Sequence, residues 1–295
     1  MSINRSSGPT PEETMNAFFD LPAPAKLNLF LHILGRRSDG YHLLQSVFVL
    51  IDWCDTLHIE RTTDGGIQRK DLGWALPVDD LTVRAARVLQ SATGCTLGAT
   101  ITVNKRIPAQ AGMGGGSSDA ATCLLALNRL WDLNLSLKQL IALGLPLGAD
   151  IPFFLRGTNA WVEGVGEKIQ PIHVPRQRFV VVKPTQGIPT KDVFLHPELK
   201  RDTGHAIIED FAVDPFGFGC NDLQPIAERL CPSVREVTLW LRKYGLTGRM
   251  TGSGSAVFAP VALADCVGDP PQGWSMRVCS SLDSHPLTGW ASSDD

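Results

Sequence analysis

Ile107-Pro-Ala-Gln-Ala-Gly-Met-Gly-Gly-Gly-Ser-Ser-Asp-Ala-Ala-Thr122 joins a β-patterned run to a strongly helical one. Gly112, Gly114, Gly115 and Gly116 leave no Cβ between the backbone N–H groups and an approaching anion. The run from Ala120 to Leu130 then supplies good helix formers with an apolar stripe. The loop is therefore expected on a helix N-terminus, where the macrodipole favours negative charge, with Ser117 and Ser118 as the caps. A surface turn before a capped helix is the competing reading. Four glycines within five residues are entropically costly for a turn alone, which favours the anion site. Asp119, beside such an anion, reads as a complement to the helix dipole.

Two common phosphate motifs fail. A P-loop needs Lys and then Ser/Thr after its last glycine, and Gly116 is followed by Ser117-Ser118. The dinucleotide fingerprint needs a third glycine three residues after the second, where Gly114 is followed by Ser117. A dinucleotide oxidoreductase is thereby disfavoured.

Composition narrows the partners. A chain of 295 residues is long for one core, so two domains are expected. A net charge of −3 argues against a basic nucleic-acid surface or a polybasic membrane patch, which leaves small-molecule partners. The seven cysteines form no Cys-x-x-Cys pair, which suggests reduced thiols in the cytoplasm and no zinc knuckle. No apolar run reaches the roughly 18 residues of a membrane helix. The polar first 20 residues are expected to be a disordered tail ending near Leu21, and Asp294-Asp295 an equally loose end.

Along the chain, Leu27, Leu29, Leu31 and Ile33 alternate with Lys26, Asn28 and His32, the pattern of a half-buried strand. Lys26 and Asn28 share a face about 6–7 Å apart, and spacing alone leaves open whether that face is solvated or functional. After the turn Gly35–Gly40, Tyr41 and His42 read as loop-edge packing or as a grip on a flat heterocycle. Asp79 or Asp80 is expected to cap a helix from Leu81 that ends at Gly94, and Thr100–Asn104 is a strand feeding the glycine loop. Ser136 caps a short helix closed by Gly144. Asp150, isolated before the apolar run Ile151–Phe154, is either a cap or functional.

Trp161–Glu167 and Ile169–Ile172 read as a hairpin and mark the expected domain boundary. In the second half, Arg178–Lys183 is a strand, a short helix carries Phe194, residues 198–219 are loop-like, and helices run to Leu230 and through Lys243. Thr251-Gly-Ser-Gly-Ser255 alone reads as a turn.

Three blocks in this order carry a resemblance: Pro24–Leu29 with Gly40-Tyr-His42, then Gly112–Ala121 with Gly148-Ala-Asp-Ile-Pro152, then Thr251–Ser255. Together they resemble the GHMP small-molecule kinases from about Leu21 to about Val278. That resemblance implies an α+β fold of two domains, an ATP-binding one over 21–162 and a substrate-side one over 163–290, with the active site in the cleft between them. Within the superfamily, the first block narrows the likeness to members that phosphorylate the 2-hydroxyl of a methylerythritol carrying a diphosphocytidyl group, using ATP and Mg²⁺.

Position by position, the resemblance makes Asp150 the catalytic base and Lys26 its electrostatic partner. It assigns Gly112, Gly114, Gly115, Gly116, Ser117 and Ser118 to the ATP phosphates, and Lys105 and Leu81 to the neighbourhood of the adenine. Asn28, Tyr41, His42 and Phe194 would bind substrate, Tyr41 and Phe194 sandwiching the cytosine. Ser117 or Ser118 would reach Mg²⁺. Asp80 stands where Asn is common and Met113 where Leu is common. The competing class is a nucleotide-binding module without turnover, which needs Lys26 and Asp150 to be structural. A monomer or weak homodimer is expected.

Overall fold

The computed structural model describes residues 16–262 and 267–293. Two long strands, β1 (Ala17–Arg36) and β2 (His42–Thr62), pair antiparallel and form the spine of the first sheet. It is completed by β3 (Ile67–Leu72), β4 (Gly98–Asn104), β5 (Ala160–Gly164) and β6 (Lys168–Pro171), in the order β3-β4-β2-β5-β6 with β1 on β2. Helices α1 (Leu81–Thr93) and α2 (Gly115–Leu130) pack against it, and α3 (Leu137–Gly144) and α4 (Ile151–Arg156) pack on α2. The second sheet is antiparallel, with β7 (Arg178–Lys183), β8 (Arg249–Met250), β9 (Val257–Val261) and β10 (Ser275–Ser280) in the order β10-β7-β9-β8. Its helices are α5 (Thr190–Leu195), α6 (Ile208–Val213), α7 (Gln224–Leu230) and α8 (Pro232–Arg242).

Three cores stack through this α+β arrangement. Leu50, Leu57 and Ile59 of β2 meet Leu124 and Leu127 of α2 and Phe153 of α4. Leu27, Leu29 and Val49 meet Phe179, Val181 and Phe258, which joins one sheet to the other. Val180 and Val182 then meet Val237 and Leu241 of α8. Because apolar faces drive the stacking, β1 is covered by the second sheet on its leucine side.

The half-buried pattern expected of β1 is corrected here, since its polar face is buried as well: Lys26 is 3% exposed and Asn28 1%. The Lys26 amide donates to Met113 O at 3.0 Å and the Asn28 amide to Thr251 Oγ1 at 3.0 Å, so two glycine-rich loops cover that face. The caps of α1 are those expected, Asp80 accepting from Val83 N and Gly94 in the left-handed region. Ser136 caps α3 with a reciprocal bond through Gln139. Gly144 is the last residue of α3 and not a left-handed stop; a Cβ there would stand 2.6 Å from Ile151 Cγ2.

Other boundaries differ. A division between 162 and 163 falls inside β5, and the hairpin β5–β6 belongs wholly to the first sheet. After β10 the chain returns to the first sheet and its helices, with bridges Ile51–Ser281, Thr158–Ser284 and Ser136–Ser292. Of the expected N-terminal tail, residues 1–15 lie outside the described residues, but Ala17 already pairs with Glu60 and Phe18 packs on Trp290 at 4.8 Å. Asp294-Asp295 lies outside them too. The stretch 198–219 contains α6, anchored by Phe211, 2% exposed, against Phe30 and Trp161.

Candidate active site

The glycine loop meets α2 as a helix N-terminus, but without a side-chain cap. Gly114 is the N-cap at φ 72° and the helix begins at Gly115, so Ser117 and Ser118 lie inside its first turn. This corrects their expected role as caps. It also leaves the N–H groups of Gly115, Gly116 and Ser117 without intrahelical partners, since the first N–H groups of a helix have no carbonyl to reach. Ser118 does not line the cavity: its amide donates to Gly114 O at 2.9 Å and its buried hydroxyl has no partner among the described residues.

Gly112 and Gly114 are required by shape. A Cβ on Gly112 would stand 2.1 Å from Thr251 O, and one on Gly114 would stand 2.9 Å from the Phe154 ring, both at φ +72°. The first of these contacts belongs to the second glycine turn. Ser255 N donates to Gln110 O at 3.0 Å and Ala256 N to Ala111 O at 3.2 Å, so Thr251–Ser255 buttresses the phosphate loop from the second sheet. Read alone it was a simple turn; its role depends on that distant docking.

Lys26 projects from β1 beneath this loop. Its Nζ donates to Asn28 Oδ1 at 2.5 Å, stands 3.9 Å from Asp150 Oδ2 and lies 4.6 Å from the Phe48 ring centroid. Burial pushes the ammonium below its ordinary value, and the Asp150 carboxylate acts in the opposite sense. Asp150 precedes α4, yet its side chain makes no capping bond, and the carboxylate remains 31% exposed. The capping reading of Asp150 is therefore set aside. Asn28 is engaged on both ends of its amide, with Nδ2 on Ser46 Oγ at 2.9 Å and Oδ1 shared by Lys26 and Thr251. It orients Lys26.

Lys105 sits differently. Its Nζ is held between Asp55 and Asp119, at 2.7 Å from Asp119 Oδ2, and both carboxylates are buried. Asp55 also accepts from the amides of Arg106 at 2.5 Å and Ile107 at 2.8 Å. Asp119 is thus an ion-pair partner at the floor of the loop, which corrects the dipole-complement reading. Leu81 stands over the loop, 3.7 Å from where a Cβ of Gly116 would be. Asp80 Oδ1 is taken by Val83 N and by Arg69 Nη1 at 2.6 Å.

These groups open into one cavity of about 1170 Å³, which every expected site residue lines except Ser118. At its other end stand His42, Tyr41 and Phe194. The His42 and Phe194 rings pack with centroids 5.3 Å apart, while Tyr41 is 64% exposed. Phe194 is thus partnered by His42, and Tyr41 lines the same end of the cavity.

The sequence comparisons agree with this geometry. Residues 80–158 match the model of the GHMP kinases N terminal domain and residues 207–265 that of the GHMP kinases C terminal domain. The chain is 61% identical over 280 residues to the 4-diphosphocytidyl-2-C-methyl-D-erythritol kinase of Albidiferax ferrireducens, covering 95% of this chain and 98% of the relative. The chain belongs to the 4-diphosphocytidyl-2-C-methyl-D-erythritol kinase family. The family's enzyme from Paracidovorax citrulli is 62% identical over 285 residues, covering 95% of this chain and all of the relative. A crystal structure of 4-(cytidine 5′-diphospho)-2C-methyl-D-erythritol kinase superposes with a TM-score of 0.72 at 33% identity, over 88% of this chain and 98% of that one. This kinase is thus an ATP-using, small-molecule phosphotransferase of α+β fold.

Two participants escaped sequence reading. Asp55 lies mid-strand in β2 and Arg201 in a loop, and their contacts with Lys105 and His42 span 50 and 159 residues. No local pattern signals such contacts.

Proposed function

We propose that this kinase transfers the γ-phosphoryl group of ATP to the 2-hydroxyl of 4-diphosphocytidyl-2-C-methyl-D-erythritol, a step of non-mevalonate isoprenoid precursor synthesis. One observation carries the reading. The Lys26–Asp150 pair, the free N–H groups of Gly115 to Ser117, and the His42–Phe194 ring pair all face a single cavity. Phosphates bind at the helix N-terminus, where no Lys belongs to the motif itself, and Lys26 supplies the counter-charge. Leu81 and Lys105 border the adenine end, and Tyr41, His42 and Phe194 hold the cytosine.

Phosphoryl transfer passes through a loose transition state, so the protein chiefly positions groups and neutralises charge. Asp150, uncapped and partly exposed, orients the acceptor hydroxyl and takes its proton. Lys26, steadied by Asn28, stabilises charge on the transferred group. Mg²⁺ takes few protein oxygens when it binds with phosphates. The donor set fits that habit: Ser117 lines the cavity and would hold the ion with the phosphates, and Asp119, whose Oδ2 is taken by Lys105, keeps an unpartnered Oδ1 beside it. When bound, Mg²⁺ supplies neutralisation of charge on the phosphate oxygens.

The proposed setting is the cytoplasm, in keeping with six free cysteines among the described residues, and the proposed assembly is a monomer or weak homodimer. None of the described helices is long and apolar enough to cross a membrane. The test is ADP release with a panel of acceptors. Turnover is expected with the diphosphocytidyl substrate and background with mevalonate or homoserine; faster turnover of either of those would sink the assignment.

A further inference from the structure

The loop after α5 ends on Arg201, whose guanidinium is engaged on every side. Nε donates to His42 Nε2 at 3.0 Å, Nη1 to Leu199 O at 2.9 Å, and Nη2 to His196 O at 2.8 Å and Phe194 O at 3.3 Å. One side chain thus ties the carbonyls of the Phe194 loop to the His42 ring, and the two rings pack on each other. A guanidinium has no acceptor and does not give up its proton. The contact at Nε2 therefore needs a lone pair there, and a neutral imidazole must carry its proton on Nδ1.

His42 stays neutral for physical reasons. Burial lowers its pKa first, and the nearby charges of Arg201 and Arg36 act in the same direction; no carboxylate acts on it in the opposite sense. His42 lines the cavity, and no hydrogen bond reaches Nδ1 among the described residues.

We propose that Arg201 is a positioning residue that fixes His42 as its Nδ1–H tautomer, so that the imidazole offers the substrate ring a hydrogen-bond donor and not an acceptor. A ring that fits must present an acceptor to it. Both cytosine and uracil offer O2, but only cytosine accepts at N3, where uracil carries a proton, so a donor aimed at N3 separates the two. Arg201, which touches no substrate, thereby sets the preference for cytidyl over uridyl compounds. This rests on the cytidyl assignment made above. A site built to hydrogen-bond one ring rejects its mismatched analogue strongly, because a buried polar group is left facing its like.

The test has two readouts. Long-range ¹H–¹⁵N spectra of the ligand-free wild type should show His42 as the Nδ1–H form alone. Arg201→Met should lose that form, raise KM for the cytidyl substrate about tenfold or more with little change in KM for ATP, and shrink the cytidyl-to-uridyl ratio of kcat/KM by a similar factor. Arg201→Lys, which restores a donor to Nε2, should recover part of that ratio. A wild-type spectrum of the Nε2–H form, or an Arg201→Met ratio equal to wild type, would overturn the proposal. Lack of any turnover with the cytidyl substrate would instead remove the functional assignment, since the spectrum is read without substrate.

Discussion

Lys26 and Lys105 line the same cavity, and both meet aspartates, but they are held in opposite ways. Lys105 is clamped between two carboxylates, Asp55 and Asp119, which are 0% and 1% exposed, and Asp55 also collects two backbone amides of the loop. Lys26 stands 3.9 Å from a carboxylate that no backbone group caps and that is open to the cavity. The first arrangement holds the chain that enters the glycine loop and leaves Asp119 Oδ1 as its one unpartnered carboxylate oxygen among the described residues. In the second, Asp150 keeps oxygens free for a ligand. The difference teaches that an ion pair is read by what else its atoms touch, because the residue types alone are the same.

The sharpest way to break the contrast is Asp150→Asn. The exchange keeps shape and removes the proton acceptor, so kcat should fall about a thousandfold, or about 4 kcal/mol of barrier. The urea midpoint should hardly move, since the side chain caps nothing. Activity near wild type would remove Asp150 from the chemistry. Lys105→Met should do the reverse. It leaves two buried carboxylates sharing no cation, and breaking such a set costs about 3 kcal/mol or more of stability, read in a urea titration. If Lys105→Met proves as stable as wild type, the clamp is not a clamp.

How much of this was legible follows from the range of the contacts. The glycine loop, the caps of α1 and α3 and the strand before the loop are local, and the sequence pattern carries them. Lys26 looked equally like a solvated strand residue, because nothing within β1 announces that Met113 and Thr251 will cover that face. Family likeness puts Lys105 near the adenine, and its clamp is invisible in the sequence because Asp55 sits 50 residues away in an alternating strand. The edge strand β3, with Gln68 through Asp71 all polar, has no apolar alternation and exists through its parallel pairing with β4. The misplaced boundary has the same origin, since β6 is recruited to the first sheet by pairing with β5 and not by its composition.

A milder exchange tests the clamp's charge count. Two carboxylates against one ammonium leave a surplus negative charge in a buried space, and burial with Asp55 alongside pushes the Asp119 carboxyl up to about 8 despite Lys105. In the unfolded chain the same group titrates near 4. Between those values the folded protein holds a proton that the unfolded chain has released, so this group's contribution to stability falls as pH rises from about 4 toward 8. The slope cannot exceed about 1.4 kcal/mol per pH unit for one proton. Asp119→Asn removes the surplus charge and can still accept from Lys105 through its carbonyl. Urea titrations at several pH values should therefore show a shallower decline from pH 5 to 8 for the variant than for wild type, with the two curves closing or crossing near pH 8. Parallel curves would mean that Asp119 is ionised throughout and that Lys105 balances both carboxylates.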